Sequence, residues 1–217
     1  YEAKFNLRDA MDEGDNAGID LTAAEAIYYS SDATLEEVNA MHDAILASIK
    51  RAEYMASGLF DNASEDFPSD ITDLVLVNPD FETDYVQWNS NIPGWTITIG
   101  AQNKCTQEEA QGLTHFIEAW DGSNVRDGEI SQTVYGLPFG VYRLEGKAFV
   151  NTTGECGVNF FISDGQTTKR TPVTSNPAQP YSVKFVNSGS DVMTFGLEAR
   201  SATTNWLGAD DFKLYFL

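Results

Sequence analysis

The chain has 217 residues with 33 acidic and 13 basic side chains, which gives a formal charge of −20. Such an acidic surface repels the phosphates of nucleic acids and of anionic membranes, which proteins bind through lysine and arginine. The longest apolar runs are four residues long, whereas a membrane-spanning helix needs roughly 20. We therefore expect neither nucleic acid as a partner nor insertion into a membrane.

Two further features concern export and redox state. Residues 1–7 lack the basic-then-apolar layout of a signal peptide, so we expect any export signal to have been removed or never to have existed. The two cysteines, Cys105 and Cys156, leave two alternatives open. They form one disulfide, which contributes roughly 4 kcal/mol in the loop-entropy model, or they remain two buried free thiols.

The first 70 residues differ in composition from the rest of the chain. They hold 16 acids and 4 bases, whereas all four Trp and 14 of the 17 Gly follow residue 70. Thr22 and Thr34 are each followed three residues later by glutamate, a capping-box pattern that predicts two helix starts. Apolar residues at three-and-four spacing over 34–52 predict an amphipathic helix that ends near 57, and an earlier helix stops near Gly14. We predict a helical domain at 1–57 and a polar linker at 58–70.

From residue 71 onward the apolar positions alternate with polar ones. The alternation is clearest at 142–150, 181–185 and 193–199, and period two is typical of half-buried antiparallel strands. Further strands are predicted at 74–77, 95–99, 113–120, 129–134, 158–163 and 210–217. Nine or ten strands without intervening helices indicate a β-sandwich over 71–217.

Four motifs in this part carry a resemblance to a known fold. They are NPDFE at 78–82, PGW at 93–95, QTVYGLPFGVYR at 132–143 and NWLGADDFKL at 205–214. In this order they resemble the galactose-binding-like jelly rolls, the fold of many carbohydrate-binding modules. Residues 1–57 resemble, more weakly, the FIVAR-like helical spacers of bacterial surface proteins. Both resemblances imply a secreted or cell-surface protein of glycan-degrading bacteria, in which this chain accompanies other modules.

The resemblance also implies a structural calcium ion. Asp210 shares the parity of the apolar Phe212, so its carboxylate is expected to point inward and to need a partner. In the resembled family, an aspartate at this place and the glutamate of N-x-x-F-E hold Ca²⁺ with backbone carbonyls, which suits a cation that prefers oxygen ligands. Glu82 and Asp210 are therefore expected as ligands, with Asn78 and Asp80 contributing. The alternative is that Asp210 caps local backbone amides and Glu82 is solvated.

Sugar binding in such modules uses aromatic faces stacked on pyranose rings, with polar groups that bind the hydroxyls. Trp95 and Trp206 lie inside the fold motifs and are predicted to be core residues. Trp88 and Trp120 border polar loops and are the candidates for stacking. The alternative for both is ordinary packing.

The loop after Trp120 supplies the candidate hydrogen-bonding residues Asn124, Arg126 and Asp127, which are otherwise a solvated turn. Catalysis is not expected. His42 and His115 have no accompanying Ser/Asp constellation and no metal-ligand spacing. A pair of acids such as Glu118 and Asp121 has no specificity in so acidic a chain.

Two classes of function remain open. The first is a noncatalytic glycan-binding module with a structural calcium ion. The second is a structural or adhesive β-sandwich, a spacer or protein-interaction domain that binds no sugar, since the fold does not decide between them. An exposed platform of Trp88 or Trp120 beside a groove favours the first, whereas two buried indoles favour the second.

Overall fold

The N-terminal region consists of three helices that share a small apolar core. The structure, a computed structural model, describes residues 1–217. The helices are α1 (Glu2–Asn16), α2 (Thr22–Tyr29) and α3 (Leu35–Ala56). Leu7 of α1 and Val38 and Ile45 of α3 are at most 4% exposed and lie in one cluster. The amphipathic spacing of the sequence therefore corresponds to a real interior between helices.

The two predicted helix caps have different outcomes. Thr34 caps α3 as predicted, because its hydroxyl accepts from the backbone N–H of Glu37 while the Glu37 carboxylate accepts from the backbone N–H of Thr34. The capping box at Thr22 is wrong. Both the backbone N–H and the hydroxyl of Thr22 donate to the Asp20 carboxylate, so Asp20 and not Thr22 satisfies the first amide of α2.

Residues after 68 form two antiparallel sheets that pack face to face, as the sequence predicts for a jelly-roll sandwich with N-terminal helices. The strands are β1 (Ser69–Asp70), β2 (Thr96–Ile97), β3 (Asn103–Ala110), β4 (Leu113–Trp120), β5 (Gly128–Tyr135), β6 (Gly140–Val150), β7 (Val158–Ser163), β8 (Thr168–Pro172), β9 (Gln179–Asn187), β10 (Val192–Ala199) and β11 (Trp206–Phe216). One sheet has the order β3-β4-β11-β6-β9, with β1 also paired to β11. The other has the order β2-β5-β10-β7-β8.

Several predicted strands differ from the observed ones. The segment 74–77 is not a strand, because α4 (Thr72–Val75) occupies its first two residues. The strand expected at 95–99 shortens to β2, and β1, β3 and β8 have no counterpart in the sequence prediction. Of these, β3 and β8 lie at a sheet edge, where side chains alternate weakly between core and solvent.

The opening turn of the sandwich packs against its last strand, as the sequence analysis expects. The backbone N–H of Phe212 donates to the carbonyl of Pro79 at 3.0 Å. The rings of Phe81 and Phe212 lie 6.2 Å apart, and Trp95 packs against both. Trp95 is therefore a packing residue, as predicted.

The helices are fixed to the sandwich rather than tethered to it. Phe60, in the segment expected to be a linker, is 6% exposed and contacts both Tyr54 of α3 and Phe216 of β11. The Arg51 guanidinium of α3 forms an ion pair with Asp191 at 2.5 Å. Apolar packing and one ion pair thus join α3 to the end of the sandwich, and the last residues of the same segment form β1.

The structure describes the state of the two cysteines and the apolar character of the helices. Cys105 and Cys156 are both free and buried, so the free-thiol alternative describes this structure. Burial raises the pKa of both thiols. None of the helices combines the length and the apolar character required to cross a membrane.

Candidate functional site

The outer face of the sheet containing β3, β4 and β11 carries a row of large side chains at one end. Trp120 of β4 is paired with Asn103 of β3 on one side and with Trp206 of β11 on the other. In the next row, Glu118 lies between Cys105 and Gly208. Side chains two residues apart on a strand share a face, so the two indoles and the carboxylate project from the same surface.

Gly208 gives this surface its floor. It has no side chain, and the rings of Phe116 and Phe149 lie over its backbone, so that a Cβ atom there would be 2.4 Å from a Phe149 carbon and 2.8 Å from a Phe116 carbon. Both rings are fully buried, and Trp206 packs edge-on against Phe149 with ring centroids 4.8 Å apart. An apolar floor therefore lies beside the indole of Trp206.

Trp88 forms the rim of the same surface. Its loop docks on the edge strand β3, where the backbone N–H of Trp88 donates to the carbonyl of Thr106 and the Thr106 N–H donates to the carbonyl of Asn89. Trp88 has a φ of 67°, a left-handed conformation that is costly for a bulky residue. Its indole is nevertheless 61% exposed, so the loop holds a strained residue in place without burying it.

Together these residues enclose a groove of about 320 Å³, which we call the tryptophan groove. Its aromatic walls are Trp88, Trp120 and Trp206, and its polar lining includes Asn103, Gln107, Glu109 and Glu118. Such a combination of flat apolar faces and a few convergent polar groups is typical of small-molecule and sugar sites.

Glu118 is the most buried polar group of the groove, at 6% exposure. One carboxylate oxygen accepts from the Gln107 side-chain amide at 2.8 Å, and the other accepts from the Trp206 indole N–H at 2.8 Å. These two bonds fix the carboxylate and also orient the indole. Each carboxylate oxygen has more than one acceptor position, so the fixed group retains capacity for a ligand.

Three of the four tryptophans line the groove, whereas Trp95 packs against Phe81 and Phe212. Trp88 and Trp120 line the groove, as the sequence analysis expects of stacking candidates. Trp206 lines it too, and the prediction that Trp206 belongs to the core holds only in part, because the residue packs against the buried cluster of Phe116 and Phe149 while also facing the groove. The motif around it suggested a core strand residue, but its neighbours Leu207 and Ala209 take the inward positions. Trp206 thus lies on the outer face of β11.

Asn124, Arg126 and Asp127 do not line the tryptophan groove, although they follow Trp120 closely in sequence. Arg126 pairs with the backbone of Gly100 and with the buried carboxylate of Asp121, and Asp127 accepts from the backbone N–H of Ser201. Bonds from the Ser123 backbone and from Arg126 lower the pKa of Asp121. These contacts serve the loop itself, while the groove takes its polar residues from β3 and β4.

The four candidate calcium ligands are partly engaged with protein groups. The side-chain oxygen of Asn78 accepts from the backbone N–H of Thr83, and that of Asp80 accepts from the backbone N–H of Glu82. The Glu82 carboxylate contacts Nδ1 of His115 at 2.5 Å. No three Asp, Glu, His or Cys side chains converge in a way that would hold a metal ion. Calcium binding by this set therefore remains a prediction.

Asp210 is buried, as predicted, but not because it alternates in register with Phe212. Its exposure is 5%, and a bulge between Asp210 and Lys213 changes the alternation, so that Ala209 and Phe212 both lie in the core. Burial raises the pKa of the Asp210 carboxyl to about 7, with smaller contributions from the nearby carboxylates of Asp211 and Asp80. Asp210 accepts the backbone N–H of Asp211, as in the local-capping alternative.

No protein-family model matches this chain, and no curated protein matches it. Among solved structures, it is similar to the TmCBM61 module in complex with β-1,4-galactotriose, at 21% identity over 65% of this chain and 97% of that one, with a TM-score of 0.48. A Stig cyclase from Fischerella sp. TAU matches at 11% identity over 64% and 94% of the two chains, with a TM-score of 0.47. A CBM4 module matches at 13% over 65% and 99%, with a TM-score of 0.46. At these identities and scores the matches carry no argument about function, which rests on the site residues.

Proposed function

We propose that this protein is a noncatalytic carbohydrate-binding module whose tryptophan groove binds a glycan. The observation that carries the proposal is the set of three indoles, Trp88, Trp120 and Trp206, around one groove on the outer face of a sheet. Indole faces match the apolar faces of pyranose rings. The amides of Asn103 and Gln107 supply the orienting hydrogen bonds that such a site requires.

The exposure of the indoles supports binding over a purely structural role. Trp88 is 61% exposed and Trp120 is 36% exposed, although burial of each would contribute favourable free energy. Trp88 also adopts a left-handed conformation, which is costly for a bulky residue, at the rim of the groove. A structural or adhesive sandwich remains the alternative, and the experiment below distinguishes the two.

The proposal is tested by calorimetric titration of the protein with soluble neutral polysaccharides, namely β-1,4-galactan, mixed-linkage β-glucan and xylan. Wild-type protein is expected to bind at least one of them. Trp88→Ala and Trp120→Ala are expected to weaken that binding about tenfold or more, as for the truncation of an aromatic anchor.

Phe67→Ala is the matched control, because Phe67 is an aromatic residue that is 77% exposed outside the groove. It is expected to bind as the wild type does. Absence of binding to all three polysaccharides, or equal losses in the groove variants and the control, would favour the structural alternative.

We propose further that the sandwich binds a structural calcium ion beside Asp210. The support is local chemistry: the charge of Asp80 contributes to the raised pKa of the buried Asp210 carboxyl, and Asp70, Asp73 and Asp80 line an adjacent pocket of about 270 Å³ together with Lys213. Carboxylate oxygens are the ligands that calcium prefers. Participation of Glu82 requires that its side chain leave His115.

The calcium proposal is tested by thermal unfolding with added calcium or with chelator. Calcium is expected to raise the melting temperature of the wild type, because a ligand that binds only the folded state stabilises it. Asp210→Ala is expected to remove the response. Equal melting curves in calcium and in chelator would rule out this site.

The setting of the module follows from the same proposal. A glycan-binding module acts on external polysaccharides, so we propose that the protein is secreted or displayed on a bacterial cell surface. There the helices at 1–57 act as a FIVAR-like spacer between this sandwich and other modules. Detection of the native protein in the medium or on intact cells would support this setting, and detection in the cytoplasm alone would contradict it.

A further inference from the structure

The polar part of the tryptophan groove is entirely acidic or neutral. Its lining includes the carboxylates of Glu109 and Glu118 and no lysine, arginine or histidine. By contrast, the buried carboxylate of Glu198 has cationic partners in Arg170 and Arg200. The groove is therefore a place where negative charge is concentrated and left without a counter-charge.

Glu118 is the centre of this charge. It is 6% exposed, and its two hydrogen-bond donors at 2.8 Å are the neutral groups of Gln107 and Trp206. The Cys105 thiol lies 3.9 Å from the same carboxylate and is also neutral. A buried charge stabilised only by neutral donors is costly unless further donors complete its hydrogen bonding.

We propose that Glu118 determines the charge class of the glycan, so that the groove binds neutral sugars through hydroxyl donors and excludes sugars that carry carboxylate or sulfate groups. This inference rests on the proposed glycan binding and names the substrate class of that site. A sugar hydroxyl donates to the carboxylate, whereas an anionic group brought beside it is repelled, because the buried Glu118 carboxylate is itself shielded from water.

The test compares β-1,4-galactan and mixed-linkage β-glucan with the same polysaccharides after oxidation of the C6 hydroxyls to carboxylates. Each pair retains its backbone and linkage and differs mainly in charge. Wild-type protein is expected to bind the neutral form of its better ligand about tenfold or more tightly than the oxidised form. Glu118→Gln is expected to reduce this preference about tenfold, because the like charge is removed.

The acidity of the whole protein requires a control of equal charge. Glu155→Gln removes one negative charge from an exposed residue outside the groove, and the wild-type preference is expected to persist in it. Glu109→Gln is a second groove variant, at an exposed residue whose side chain forms no hydrogen bond within the protein. Glu109→Gln is also expected to reduce the preference for the neutral polysaccharide, which keeps the test available if Glu118→Gln does not fold.

The outcomes distinguish failure of the charge selection from failure of glycan binding itself. Equal binding of the neutral and oxidised forms by the wild type would overturn the charge selection and leave glycan binding in place. Equal effects of Glu118→Gln, Glu109→Gln and Glu155→Gln would assign the selection to overall charge and overturn the role of the groove. Binding of neither form would remove the proposed function and this inference with it.

Discussion

Arg51→Ala tests whether the helices and the sandwich fold as one unit. Arg51 of α3 pairs with Asp191 at 2.5 Å, and its guanidinium lies 4.3 Å from the ring centre of Phe139. The two side chains of the ion pair are 21% and 40% exposed, so solvent screening limits the pair to about 1 kcal/mol. The cation–π contact adds about 0.5–1 kcal/mol. The variant is expected to lose about 2 kcal/mol of unfolding free energy.

Urea unfolding followed by two signals measures this loss. All four Trp lie in the sandwich, so fluorescence reports on the sheets, whereas circular dichroism at the helical band reports mainly on α1 to α3. Both signals are expected to change together in the wild type, because Tyr54 and Phe60 join α3 to the sandwich core. A double-mutant cycle of Arg51→Ala with Asp191→Ala is expected to give a coupling of about 1 kcal/mol.

Arg8→Ala is the matched control. Arg8 also forms an ion pair and a cation–π contact, with Asp9 and Phe5, but all three residues are exposed and lie within α1. Its substitution is expected to change stability by less than about 0.5 kcal/mol. The reasoning would be refuted if Arg51→Ala behaved like Arg8→Ala, or if the helical signal of the wild type were lost well before the fluorescence changed.

Three further substitutions test other parts of the structure. Gly208→Ala is expected to destabilise the protein by about 1–3 kcal/mol in urea titrations, because its Cβ would overlap Phe149. Unchanged stability of this variant would show that Phe149 does not lie over Gly208. Arg170→Ala is expected to cost about 2 kcal/mol, since the 1% exposed Glu198 side chain keeps only one of its two cations. In chelator, the Asp210 carboxyl binds its proton more tightly in the folded protein than in the unfolded chain between pH 3.8 and about 7, because burial raises its pKa. The melting temperature of the wild type should therefore fall relative to that of Asp210→Asn as pH rises through this range. The same pH dependence in both proteins would contradict the raised pKa of Asp210.

The fold was largely predictable because it rests on repeated local patterns. Alternation along the central strands, the turn motifs and the amphipathic spacing of α3 each identify an element without tertiary information. The predictions were wrong where tertiary contacts determine the secondary structure. Polar β3 becomes a strand because β4 pairs with it, and Leu74 to Val77 forms no strand because α4 packs there.

The site was only half predictable, because proximity in sequence is a poor guide to proximity across a sheet. Trp88 and Trp120 were identified from their polar surroundings. Glu118 and Trp206 become neighbours only through the pairing of β4 with β11, which residue patterns alone do not specify. Conversely, Arg126 is close to Trp120 in sequence but pairs with Gly100 and does not line the groove.

The indole N–H signals of the four tryptophans test the central claim most directly. They are resolved by nuclear magnetic resonance and assigned by single Trp→Phe variants. On addition of a β-1,4-galactan or mixed-linkage β-glucan oligosaccharide, the signals of Trp88, Trp120 and Trp206 are expected to shift. The signal of Trp95, whose indole donates to the carbonyl of Asn78, is expected to stay in place. Unchanged signals from all three groove tryptophans, or a shift of Trp95 alone, would contradict the assignment of the groove as a glycan site.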